Sequence, residues 1–220
     1  MRTRNRLDVL QRWTYENLCR GRQMKAPVST NDLTQIVYKE PKAYIGFYPM
    51  NAGKDFNMPE DLATTPSILL LFNGGYGKNV PEQRFDRYNH IHRVQEYGQV
   101  LGITALFSIY EPGIRMPGFT ESAEAEGHRG GADPTLISDG TMEGIFTLTD
   151  WMDEFMEKLL SVKTLPDSDL TLNEATLQYA PYKDQNFIVD KRPQYYGFVQ
   201  ADFYGHADQE YNNDIEKLLE

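Results

Sequence analysis

The residues best placed to do chemistry are a glycine-rich run and a pair of histidines. Asn73-Gly74-Gly75-Tyr76-Gly77-Lys78-Asn79 follows an apolar stretch, as a phosphate-cradling loop would, with a lysine to meet the phosphate charge. Such a loop needs a glycine ahead of its Gly-Lys pair so that backbone can wrap the phosphates. It also needs Ser or Thr after the lysine to ligate magnesium. Phe72 and Asn79 hold those two places, so the run reads as a turn. His90-Ile91-His92 would put two imidazoles on one side of a strand, with Glu96 four residues on. Zinc needs three or four ligands in near-tetrahedral array, and nothing brings His128 or His206, the other two histidines, nearby. Solvated or hydrogen-bonded histidines are the simpler reading. Cys19 falls in a helical stretch near three arginines, whose charge would depress a thiol pKa; a helix-packing role is the plainer one. No serine stands in a Gly-x-Ser-x-Gly elbow. No carboxylate pair is set apart by apolar surroundings that would split two pKa values. No catalytic residue, cofactor or metal is therefore expected.

The elements that would carry these residues follow from periodicity. Leu7, Leu10, Trp13 and Leu18 make one apolar stripe at helical spacing over 6–20, closed by Gly21 and Pro27. Short strands are predicted at 34–38 and 43–48, and a loop at 49–66. Ser67–Phe72 is a continuous apolar run between Pro66 and Asn73, which predicts a buried strand. The segment 73–96 reads as a polar excursion. Gln99–Tyr110 alternates from Ile103 onward and predicts a strand with one buried face. The Gly- and Pro-containing stretch 111–143 shows no period and reads as a long loop, which in a compact domain is usually functional or ordered by a partner. Leu148, Met152, Phe155 and Leu159 predict a helix over 144–162, with Asp150, Asp153, Glu154, Glu157 and Lys158 opposite. Strands are predicted at 170–179, 187–189 and 195–204, and a short acidic helix at 208–219. This order gives an α+β fold: a mixed, largely antiparallel sheet with helices on one face and long loop insertions. The chain divides into an N-terminal helix and extension at 1–60, a core at 61–207 holding the inserted loop 111–143, and an acidic tail at 208–220.

Charge narrows the partners. The 220 residues carry a net charge of −10. A free nucleic-acid binder draws its affinity from a basic surface, whereas an acidic one suits avoidance of DNA or a passage that DNA slides through. Seven of the 22 Lys/Arg lie in residues 1–25 against two acids, leaving 15 basic and 30 acidic residues beyond. That basic segment could dock on an acidic neighbour or on another copy. Fourteen Tyr against two Trp lean toward surfaces buried on assembly. A single cysteine permits no internal disulfide. Neither a signal-peptide run nor a membrane span is legible, so the chain is expected in a cytoplasm or in a particle assembled there.

The second half resembles the tail terminator (tail completion, head-tail joining) proteins of phages over roughly 62–206. The likeness lies in the order of elements. A proline-initiated apolar strand (Pro66 to Leu71) leads to an alternating strand ending in Tyr110-Glu111 and then to an acidic helix (Thr149 to Leu159). An Asp-Gln-x-Phe stretch (Asp184 to Phe187) and an aromatic-Gly-aromatic strand (Tyr196-Gly197-Phe198 onward) follow. Pro193 and Gly197 match a Pro-Trp-Phe-Gly pattern of the family, with Tyr195 and Tyr196 in place of its bulky aromatics. The loop 111–143 and the N-terminal 60 residues exceed the pattern. The resemblance implies a hexameric ring that caps the tail tube and presents a surface to the head connector. Its partners would be itself, the tail tube protein, a head connector or neck protein, and a sheath protein if the tail contracts. DNA would pass through the lumen without specific binding.

The expected subunit interfaces are the N-terminal helix (Arg4, Arg6, Arg12), the 73–96 excursion (Tyr76, Lys78, Arg84, Arg87) and the long loop (Arg115, Phe119, Arg129). Three other readings stand beside this one: another neck, head-completion or baseplate component; a small nucleotide- or metal-dependent hydrolase using Lys78 or His90 and His92; and a host regulatory adaptor.

Overall fold

The computed structural model describes residues 2–28, 36–50, 60–79, 97–112, 134–181, 183–184, 187–188 and 193–206. Helix α1 (Thr3–Thr14) continues into a single π-helical turn (Tyr15–Cys19). Strands β1 (Met24–Pro27) and β2 (Ile36–Lys39) pair antiparallel as a separate two-stranded arm. Strand β3 (Lys42–Ile45) precedes a short helix α2 (Glu60–Thr64). The long strands β4 (Ser67–Asn79) and β5 (Tyr97–Tyr110) come next, then helix α3 (Pro134–Val162) and strand β6 (Thr171–Pro181). The small pair β7 (Lys183–Asp184) and β8 (Phe187–Ile188) precedes β9 (Gln194–His206).

The main sheet has the order β3-β4-β5-β9-β6. Its β3–β4 pair is parallel and the other three are antiparallel. The fold is therefore α+β with a mixed, largely antiparallel sheet. Strand alternation sends every second side chain to one face. Ile68, Leu70, Ile103, Ala105, Phe107, Val199 and Ala201 thus share a face and form one buried cluster with the helices. From α1 and the π turn come Leu10, Trp13 and Leu18; from α3 come Leu148, Trp151, Met152, Phe155 and Leu159. Phe107 is the pivot: the Trp151 ring meets it edge-on at 5.2 Å and Phe155 at 5.5 Å. The N-terminal helix is thus part of the same core as the central strands. The short α2 lies on the other face, with Leu62 against Tyr110.

Helix α3 comes unusually close to β9. A Cβ at Gly197 would sit 2.5 Å from Met152 Sδ, and one at Gly144 would sit 2.4 Å from the Tyr195 ring. Glycine at both positions lets helix and strand backbones approach without a clash.

Three expectations are corrected. Asn73–Asn79 is not a turn; it continues β4, paired with Tyr97–Gly102. The register shifts between Phe72 and Gly74, and Gly74 takes φ +125°, a left-handed value that glycine adopts freely. The Asn-Gly-Gly signal therefore marks a β-bulge. The stretch 111–143 is not loop throughout, because α3 begins at Pro134, a residue suited to a first helical turn. The expected loop at 49–66 likewise holds α2 at its end. Residues 80–96 and 113–133, and the acidic helix expected at 208–219, lie outside the described residues.

Candidate interaction surfaces

The expected site residues fall in different environments. Arg6 is not available to a partner: it is fully buried. Its guanidinium grips the Asp169 carboxylate with two hydrogen bonds of 2.9 and 2.5 Å, and a third goes to Gln99 Oε1 at 2.6 Å. A Cβ at Gly205 would lie 2.5 Å from Arg6 Cζ, so β9 is bare of side chain where the arginine crosses it. Burial alone would raise the Asp169 pKa; the hydrogen bonds and charge of Arg6 outweigh it and hold the carboxyl below its ordinary value. Arg4 is exposed, 3.9 Å from Asp8, and Arg12 is exposed as well. Tyr76 and Lys78 belong to β4, opposite Val100 and Gly98. Arg84, Arg87, Arg115, Phe119 and Arg129, and also His90, His92 and Glu96, lie outside the described residues.

The chemistry weighed for the chain can be judged where its residues are described. Lys78 sits in a paired strand rather than in a loop opening a helix, so no phosphate cradle forms around it. Cys19 is fully buried, and burial pushes its thiol up to about 12 against the weaker pull of Arg22. Such a thiol stays protonated and packs as a small apolar group. Among the described residues no three of His, Cys, Asp and Glu gather to hold a metal ion, and no helix is long and apolar enough to cross a membrane. On the α2 face, the Tyr196 hydroxyl donates to Asp61 Oδ2 at 3.1 Å, and Thr65 and Ser108 share a 2.6 Å hydroxyl contact. Burial, then the Asp61 charge, raises the Tyr196 pKa, so the phenol remains a donor and ties α2 to the sheet.

What the described residues offer is two unlike surfaces. At the β3 edge, α1 lies over the sheet, with Gln11 Nε2 donating to Ala43 O at 2.8 Å. There β2 exposes all four of its residues: Ile36, Val37, Tyr38 and Lys39. Lys42 is exposed beside them, and Phe47 and Met50 are 89% and 85% exposed. Glu40, partly exposed between Lys39 and Lys42, accepts from the Tyr15 hydroxyl at 2.5 Å and from Gly21 N–H at 3.0 Å. A cleft of about 240 Å³ opens between Lys39, Lys42, Tyr44, Thr64 and Pro66. The arm is fixed to the body by Lys25 Nζ, which donates to both Glu111 carboxylate oxygens at 2.6 Å.

The second surface is that of α3, which lies over β5, β9 and β6. Its inner flank meets the π turn: Trp151 Nε1 donates to Leu18 O at 3.3 Å, and Arg22 pairs with Glu154. Its outer flank carries Glu143, Asp150 and Glu157, all exposed, with Phe146 at 53% and Leu160 at 38% exposure. Sequence reasoning marked the acids of α3 as a solvated face. It placed a strand at 34–38 but did not mark β2 as an exposed surface, because four residues without alternation give no sign of which face is free. No protein-family model matches the chain, and no curated protein matches it significantly.

Proposed function

We propose that this chain is a structural subunit of a virus particle, forming the ring that closes the head-proximal end of a phage tail and joins it to the head. The observation that carries the proposal is the set of large apolar side chains that one well-packed domain leaves exposed. Tyr38, Phe47 and Met50 stand on β2 and just past β3, and Phe146 and Leu160 lie along the outer face of α3. Large apolar groups exposed together mark sites that are covered in the working state. Unlike apolar surfaces on different elements suit head-to-tail contacts, which close into a ring under rotation. The element order behind the sequence resemblance, from β4 and β5 through α3 and β6 to β9, supports the terminator assignment within that class. The net charge of −10 suits a lumen that lets DNA phosphates slide past.

The test is immunogold labelling of this protein on whole particles, imaged by negative-stain electron microscopy. A single spot at the junction of head and tail is the expected result. Label confined to the distal tail tip would replace the terminator by a baseplate role, and no label on any particle would overturn the structural reading.

A further inference from the structure

Resting on the ring reading, a more specific statement is available: which surfaces of neighbouring copies meet. We infer that the acidic outer flank of α3 docks on the β2–β3 edge of a second copy of this chain. The two surfaces belong to separate elements: β2 pairs with β1 outside the main sheet and leads into its edge strand β3, while α3 packs over β5, β9 and β6. They are complementary in charge. Glu143, Asp150 and Glu157 face out on one, while Lys39 and Lys42 face out on the other, where the carboxylate of Glu40 between them is engaged by Tyr15 and Gly21. They are also alike in apolar content, with Phe146 and Leu160 answering Ile36, Val37 and Tyr38. Helical geometry supports the match. At 100° per residue Phe146, Asp150, Glu157 and Leu160 fall within about 80° of one another, opposite the core-facing Leu148, Met152, Phe155 and Leu159, so the stripe points away from the sheet. Opposite charges steer the encounter and fix its register, while the apolar groups supply burial. The contact is heterologous, so it propagates from copy to copy.

The experiment is a charge swap on the full chain, read by native mass spectrometry and sedimentation. One variant carries Lys39→Glu and Lys42→Glu; the other carries Asp150→Lys and Glu157→Lys. All four side chains are exposed, so unchanged circular dichroism and melting are expected for both. Wild type should self-associate, and each variant alone should lose at least about tenfold in association constant, since like charges then face each other. An equimolar mixture should regain assemblies of alternating composition, because each variant supplies the partner that the other lacks. Variants that assemble like wild type, or a mixture that stays monomeric, would overturn the assignment of surfaces. Wild type that remains monomeric at high concentration would overturn self-docking itself. The particle labelling is read independently and decides the ring's location whatever the swap shows.

Discussion

At the scale of the residue, Arg6 is the most instructive side chain. Its sequence context, three arginines within the first six residues, reads as a solvated basic end. Only the fold reveals that Asp169, 163 residues away, waits opposite it. Removing one partner of such a pair strands the other's charge. Arg6→Leu should therefore cost about 3 kcal/mol in urea unfolding, and Asp169→Asn at least as much, because it leaves the fully buried guanidinium without its countercharge. The pair also sets a pH dependence. The Asp169 pKa lies below its ordinary value of 3.8 in the folded chain. Its contribution is therefore complete above that value and is lost as pH falls through the lower, folded-state pKa. Melting temperature measured between pH 6 and pH 2.5 should fall less steeply at the acid end in Asp169→Asn than in wild type. Equal slopes would show that the pair carries no linkage.

At the scale of the element, the seam between α3 and β9 depends on absent side chains. Gly197→Ala would press a methyl against the buried Met152 and Leu148, and overpacking of this kind costs about 1–3 kcal/mol. Combining it with Met152→Ala should recover part of that loss by double-mutant cycle; strict additivity would mean that the two do not touch. The same seam explains what was legible. Ser67–Phe72 read correctly as a continuous apolar run bounded by Pro66 and Asn73, and Gln99–Tyr110 and the apolar stripe Leu148–Leu159 because a strand and a helix against one core impose periods of two and 3.6. The first turns of α3 did not read as helix, because Gly140 and Gly144 carry breaker signals. In the folded chain Gly144 makes room for the Tyr195 ring, a tertiary demand that overrides propensity. Likewise Asn73-Gly74-Gly75 carries turn chemistry that β4 uses as a bulge inside a continuing strand.

At the scale of the whole molecule, the proposed contact between copies rests on the division of surface charge. If Lys39 and Lys42 meet the acidic flank of α3, raising salt from about 0.05 to 0.5 M should weaken self-association, since exposed charges are screened as the Debye length shortens. Sedimentation across that range checks it; assembly that strengthens with salt would point to a contact driven by the apolar groups alone. The sequence by itself determined the α+β class, the main strands, the core stripe of α3 and the acidic balance, because these follow from local period and composition. Tertiary structure alone decided that Arg6 belongs to the core, that Cys19 is sealed in, that Lys78 lies on a strand, and that β2 is exposed along its whole length. Those facts depend on strand order and on pairings across more than a hundred residues, which no local pattern encodes.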